Sequence, residues 1–266
     1  LMPFYSIRHE TKYQFEQPPK QAIQQLHLTP KSGPNQIVKK WNFDLRGADI
    51  TLESRDHHGN IVHIAVQHSD QTDVVIAAFG DIETNDTSGI FGPHDNMLPL
   101  PLFRRYTTYC HIGPSMKKLA QNMPADDNKL NFLHCLSAYV AENVRYESGH
   151  TDSMSSAEDA AKLGFGVCQD HVHVFLTLTR YAGLPARYVS GYLMEPDYGN
   201  ISASHAWAEA YIDGLGWVGF DISNAMSPND RYVRLASGFD YSDIQPVSGL
   251  RFGDGEEVMS AEVTVQ

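Results

Sequence analysis

Three residue types that together perform covalent chemistry occur in order in the second half of the chain: Cys168, His205 and Asp221. Cys168 follows Gly164-Phe165-Gly166-Val167 and precedes an apolar run, Val172 to Leu184, that reads as a buried helix closed by Gly183 and Pro185. The cysteine therefore falls in the first turn of a helix. There, backbone N–H groups lack intrahelical partners and the helix dipole favours a thiolate over a thiol. His205 lies in Ser204-His205-Ala206-Trp207-Ala208-Glu209-Ala210-Tyr211, and Asp221 closes Trp217-Val218-Gly219-Phe220-Asp221. Both segments read as strands. A nucleophile, a base and a group that orients the base are the parts of acyl transfer through a covalent intermediate.

That chemistry makes a demand on register. The two strands flank Asp213-Gly214-Leu215-Gly216, a turn signal. If Trp207 stands opposite Asp221, then His205, Trp207 and Asp221 share one face, and His205 lies diagonally from Asp221. Diagonal neighbours are about 7–8 Å apart at the backbone, within reach of two inclined side chains. A slip of one residue sends Asp221 to the far face. Two glycines in the turn permit either register.

Other residues take supporting roles. The Cys168 backbone N–H supplies one oxyanion donor, and Gln169 or Tyr146 is a candidate for the second. Trp207 is a candidate substrate contact. Asp170 is expected to cap amides in the first helical turn, and His173 to make a buried hydrogen bond. Cys168, His171, His173 and His205 are zinc-type ligands. His173 lies two residues from His171 and five from Cys168, however, so they do not converge on one helical face. No metal is expected, and no acidic cluster has calcium-loop spacing. No cofactor is expected either. Cys110 and Cys135 read as buried structural cysteines, and His57-His58, in a turn, as solvated surface.

The elements that position these groups fall into two halves. Tyr5 to Phe15, Ile37 to Leu45, Ile50 to Glu53 and Ile61 to His68 alternate with period two, and Val74 to Phe79 is a short apolar run. About six strands without a helix predict an N-terminal β-sandwich within residues 1–100. Residues 80–110, rich in Gly, Pro and Asp, read as a surface linker containing the boundary. From 105 to 266 the pattern becomes α+β. Helices are predicted at Asp127 to Arg145, Ala157 to Lys162 and from Cys168, followed by strands at Ala186–Glu195, His205–Ile212 and Trp217–Ile222. Glu257 to Val265 alternates again and could return to an edge of either half.

The 266 residues, 42% hydrophobic, suffice for two domains or one large one. A net charge of -12 argues against nucleic acid and anionic membranes as partners. Three cysteines are too few and too far apart for a disulfide framework. With no secretory signal at Leu1 to Glu10 and no long apolar span, the expected location is cytoplasmic.

Taken together, Gly166-Val167-Cys168-Gln169-Asp170, Gly183-Leu184-Pro185-Ala186-Arg187-Tyr188-Val189-Ser190-Gly191-Tyr192, Ser204-His205-Ala206-Trp207-Ala208-Glu209 and Gly216-Trp217-Val218-Gly219-Phe220-Asp221 resemble the bacterial transglutaminase-like superfamily. The first half resembles the β-rich N-terminal domain that accompanies that subgroup. The resemblance implies a papain-like, transglutaminase-like core of helices packed on an antiparallel sheet, with Cys168 as nucleophile, His205 as base and Asp221 as orienter. His171 stands where an aromatic residue is more usual, which bears on substrate preference. The implied function is a thiol enzyme acting on amide or peptide bonds through an acyl-enzyme, with peptidase the leading reading. Amine-resolved cross-linking, ligation or deamidation is the alternative, and an idle binding module the alternative of another class. The implied partners are a peptide or protein amide and, for transfer, an amine.

Overall fold

Period-two alternation in the first eighty residues becomes six strands: β1 (Phe4–Phe15), β2 (Gln21–Thr29), β3 (Gln36–Arg46), β4 (Ala48–Arg55), β5 (Ile61–Gln67) and β6 (Asp73–Thr84). Here and below, the computed structural model describes residues 2–95, 97–194 and 203–265. Strand β1 shows why the segment pairs: Ile7, His9, Thr11, Tyr13 and Phe15 are buried while most of the residues between them stay accessible. Two later strands, β14 (Val247–Phe252) and β15 (Glu257–Val265), complete two antiparallel sheets. One has the order β15-β1-β6-β3 and the other β14-β2-β5-β4. Ile7, Phe15 and Ile76 of the first sheet share one hydrophobic cluster with Leu26, Leu28 and Ala65 of the second. The alternating carboxy-terminal run thus pairs with the first half, Val263 opposite His9.

The stretch expected as a surface linker is more built-in than that. Strand β6 runs to Thr84, and β7 (Ile90–Gly92) pairs with a strand of the second half. Phe103 and Cys110 are fully buried. Buried Arg180 explains why the segment stays down, donating to the carbonyls of Phe103, Ala186 and Phe239.

Four helices follow: α1 (Pro114–Gln121), α2 (Lys129–Asn143), α3 (Ala157–Leu163) and α4 (Cys168–Tyr181). The starts of α2 and α3 are capped by side chains in ordinary ways. The Asn128 side chain accepts from the amides of Leu130 and Asn131, and Ser156 and Asp159 bond reciprocally. Two-residue strands β8 (Arg145–Tyr146) and β9 (Phe165–Gly166) pair in parallel, fixing the end of α2 beside the start of α4.

The remaining strands are β10 (Ala186–Leu193), β11 (Ala203–Ile212), β12 (Gly216–Phe220) and β13 (Tyr232–Gly238). They form an antiparallel sheet of order β13-β10-β11-β12-β7. The expected end of the first of these, Glu195, lies outside the described residues. Ala206, Ala208 and Ala210 on one face of β11 let α4 pack close, and α4 is buried from Asp170 to Arg180. The free edge of β13 is closed by side-chain amides from the first half. Gln36 bonds the backbone of Arg234, and Asn60 that of Ser237, each as both donor and acceptor. The molecule is therefore α+β, with helices packed on an antiparallel sheet. Among the described residues no helix is long and apolar enough to cross a membrane.

Candidate active site

Cys168 is the first residue of α4 and is partly accessible. The approach to it is tight, because a Cβ on Gly166 would stand 2.5 Å from that of Asp170. Only glycine allows this closeness without displacing the Asp170 side chain. Asp170 in turn accepts from the Val167 amide at 2.8 Å and from the Thr151 hydroxyl at 2.7 Å. Burial pushes its carboxyl up against the opposing pull of those bonds. Asp170 thus ties the turn before the cysteine to the loop at Thr151.

The strand register meets the condition that the sequence sets. Ala208 pairs with Phe220 and Glu209 with Gly219. One step further along, Trp207 stands opposite Asp221. His205 and Asp221 share a face, and His205 Nε2 lies 2.6 Å from Asp221 Oδ2. Asp221 is wholly buried and the His205 side chain is 10% exposed. With Nε2 engaged, Nδ1 is the ring nitrogen left for Cys168, whose thiol is near enough to help raise the His205 pKa.

Electrostatics follow from burial and partners. Burial alone would lower the His205 pKa, but the hydrogen bonds and charges of Asp221 and Cys168 outweigh it and raise the pKa to about 10. Burial likewise opposes the Asp221 charge, while His205, Asn224 and Tyr232 hold its carboxyl below the usual range. The Tyr232 hydroxyl, pushed up by burial and by Asp221, stays protonated and donates to Oδ2 at 2.7 Å. Asn224 donates its side-chain amide to the same oxygen at 2.8 Å and its backbone N–H to Oδ1 at 3.2 Å. The imidazole therefore faces a carboxylate that is ionised and fixed from three sides.

Tyr232, Asn224 and Ser223 are neighbours of the candidate triad to which the sequence reading gives no role. The Ser223 hydroxyl lies 2.9 Å from His171 Nδ1, and His171 Nε2 lies 2.7 Å from the Val144 carbonyl. His171 so joins the helix of the thiol to the loop of Asp221 and to the end of α2. An Asp followed three residues later by Asn is a turn signal that could have found Asn224. Tyr232 arrives from another strand, β13 (Tyr232–Gly238).

Among the remaining candidates Trp207, Cys135 and His58 need correction, whereas His173 and Cys110 are buried as expected. The Gln169 amide donates to the Ser153 carbonyl at 3.2 Å, so it is turned to the neighbouring loop. Tyr146 is 60% exposed, its ring edge-on to His171 at 5.9 Å. Trp207 is no groove wall. It is fully buried, packed with Val189, Leu193 and Tyr232. A Cβ on Gly191 would meet the Trp207 ring at 2.6 Å, which explains the glycine. His173 is buried and stacked on Tyr109, and burial lowers its pKa to about 4, so it is neutral. Its Nε2 accepts from the Tyr241 amide at 3.4 Å, a long bond. Cys110 is buried, and burial pushes its thiol up to about 11. Cys135, expected inside, is exposed, because its position on α2 faces away from α4. His58 is buried too, with Nε2 3.0 Å from Asp243 Oδ2. The tail that folds over the turn removes it from the surface.

Among the described residues, the grouping with metal-ligand spacing is His57, His58 and Asp243. Cys168, His171 and His173 form no such group.

Comparisons with known proteins bear on the family and the fold. The model of the transglutaminase-like superfamily matches residues 117–222, and that of the bacterial transglutaminase-like N-terminal region matches residues 5–83. An uncharacterized protein of Mycobacterium leprae is 24% identical over 272 residues, 97% of each chain. One of Mycobacterium tuberculosis is 26% identical over 279 residues, 95% of this chain and 88% of that one. A solved structure from Cytophaga hutchinsonii, described as a proposed cysteine protease, has a TM-score of 0.78 at 22% identity. It covers 99% of this chain and 90% of that one, a likeness of fold.

Proposed function

Because the chain belongs to the transglutaminase-like superfamily, we propose that it is a thiol enzyme that opens amide bonds through a Cys168–His205–Asp221 triad, acting as a peptidase. The observation that carries this reading is His205. It is held 2.6 Å from a buried carboxylate, and its charge is favoured by a neighbouring cysteine at a helix start.

His205 Nδ1 takes the thiol proton, and Asp221 stabilises the imidazolium that results. Sγ attacks the amide carbonyl carbon, and the oxygen that gains charge is met by the Cys168 backbone N–H at the positive end of α4. The tetrahedral species collapses as His205 returns its proton to the leaving amine, and an acyl-enzyme remains. Water then attacks, with His205 again as base, releasing the acid and the thiol. Residues from about 105 onward form the catalytic core in this reading, with β14 and β15 given back to a β-sandwich of the first half. Three free cysteines suit a cytoplasmic, reducing location.

The test is turnover of a peptide library by wild type and Cys168→Ala, with and without methylamine. Released carboxylate that vanishes in Cys168→Ala is the expected result. Turnover unchanged in that variant ends the thiol mechanism. Incorporation of methylamine in place of water moves the reading to transfer. A reactive Cys168 without turnover of any peptide moves it to a binding module.

A further inference from the structure

The face of β11 that carries His205 and Trp207 also carries Glu209, the centre of a second charge cluster that amide chemistry leaves without a task. Glu209 is fully buried. Its carboxylate accepts from Arg187 Nε at 2.5 Å and from Arg234 Nε at 3.0 Å. The Arg187 guanidinium lies over the Trp217 ring at 4.0 Å, which fixes its plane. With Nε turned to Glu209, the two terminal nitrogens of Arg187 make no hydrogen bond to the described residues. Arg234 reaches Glu209 with one terminal nitrogen at 3.4 Å and, among the described residues, leaves the other unengaged. Two guanidinium ends are thus oriented from behind by one carboxylate.

Both arginines line a cavity of about 460 Å³ between the second-half sheet and the loops of the first half, with Lys31 and the exposed Arg55 on other walls. The volume is that of a small-molecule site. The lining carboxylates are Asp56 and Asp95. Asp56 is already occupied by the Asn60 side chain and backbone and by His27. Counting Glu209, three carboxylates face four cations. Burial first, then the charges of Arg234 and Arg55, lowers the Lys31 pKa. A pocket crowded with positive charge is unexpected in a chain of net charge -12.

We propose that this cavity binds a small oxyanion-bearing ligand, a carboxylate or phosphoryl compound, held by the free guanidinium ends of Arg187 and Arg234 and by Lys31 and Arg55. Planar guanidinium forks match such groups two bonds at a time. The site is separate from the thiol. His205 and Glu209 lie four positions apart on β11, about 13 Å at strand rise, and the buried Trp207 stands between them.

Isothermal titration calorimetry of the full chain at low ionic strength, with inorganic phosphate and with citrate, tests this. One-site saturable binding of at least one probe is expected, weakening as sodium chloride rises. Phosphate alone binding assigns a phosphoryl ligand, and citrate alone a carboxylate. In Lys31→Gln/Arg55→Gln, which removes two accessible charges, affinity should fall by about tenfold or more. Arg187→Lys, which keeps charge but loses the fork, should also weaken binding by about tenfold. Circular dichroism and unchanged Cys168 alkylation establish that each variant is folded. No saturable binding of either probe up to about 10 mM overturns the proposal. So does undiminished affinity in the folded double variant, since the anion would then sit elsewhere.

Discussion

Two buried carboxylates, Glu209 on β11 and Asp221 just past the end of β12, lie on one side of the sheet and have opposite temperaments. Asp221 faces an imidazole, a tyrosine hydroxyl and an asparagine amide. Glu209 faces two guanidiniums. Both are ionised, Asp221 through hydrogen bonds and Glu209 through the charges of Arg187 and Arg234, which overcome burial. The difference lies in the cation. Imidazole gives and takes a proton near neutral pH, whereas guanidinium does not. A carboxylate partnered by histidine and reached by a thiol can serve proton transfer. One partnered by arginines can supply only fixed charge, for holding structure or meeting an anion.

The sharpest way to break the comparison is to neutralise each carboxylate in turn. Asp221→Asn should lower kcat/KM by roughly 10³–10⁴-fold with a modest change in the urea midpoint, since the side chain keeps its size. Glu209→Ala should do the reverse. It leaves two buried guanidiniums facing each other, a loss of about 3–5 kcal/mol in urea unfolding, while the folded fraction retains activity. If Glu209→Ala abolishes turnover without destabilising, the two clusters are one.

A pH series separates them further. The His205 pKa is raised in the folded chain, to about 10. Its stabilising contribution is therefore complete below its ordinary value near 6.5 and disappears as pH climbs through about 10. Asp221, lowered, contributes above the ordinary carboxylate range and loses its contribution as pH falls through its folded value. Wild type minus His205→Ala stability, from thermal melts, should thus shrink across that alkaline window. The cost of Glu209→Ala should stay level between about pH 6.5 and 9. A level His205 curve would sink the imidazolium assignment. The smallest effect is that of Asn224→Ala, which removes one amide from Asp221. It should lower kcat by about tenfold and leave the melting temperature within a few degrees.

What could be read in advance followed from local periodicity. The strand bearing His205, the turn after it and Asp221 differ in period and composition from their surroundings, so their shared face reduced to a choice between two registers. Helices α2 and α3 and strand β15 were likewise legible from apolar spacing. Strand β2 went unnamed because its inward positions include Gln24 beside Ala22, Leu26 and Leu28, which blurs the alternation. Helix α1 was missed for its shortness, and β14 for its exposed face. Strand β13 is buried at all but Arg234 and carries a bulge in its pairing, so neither period shows. His58 failed for another reason: its partner Asp243 lies 185 positions away, beyond any window of local sequence.

The pairing of residues 247–265 with strands β1 and β2 has a temporal meaning. During synthesis the six leading strands emerge first, yet each sheet still presents an open edge, on β1 in one and β2 in the other. Those edges must wait while more than a hundred residues of the second half are made, exposed to wrong partners in the interval. The β1 and β2 edges are covered only when β15 and β14 dock. A ribosome-stalled chain that stops before residue 247 should therefore be the aggregation-prone form, and its release into the full chain the step that quiets it.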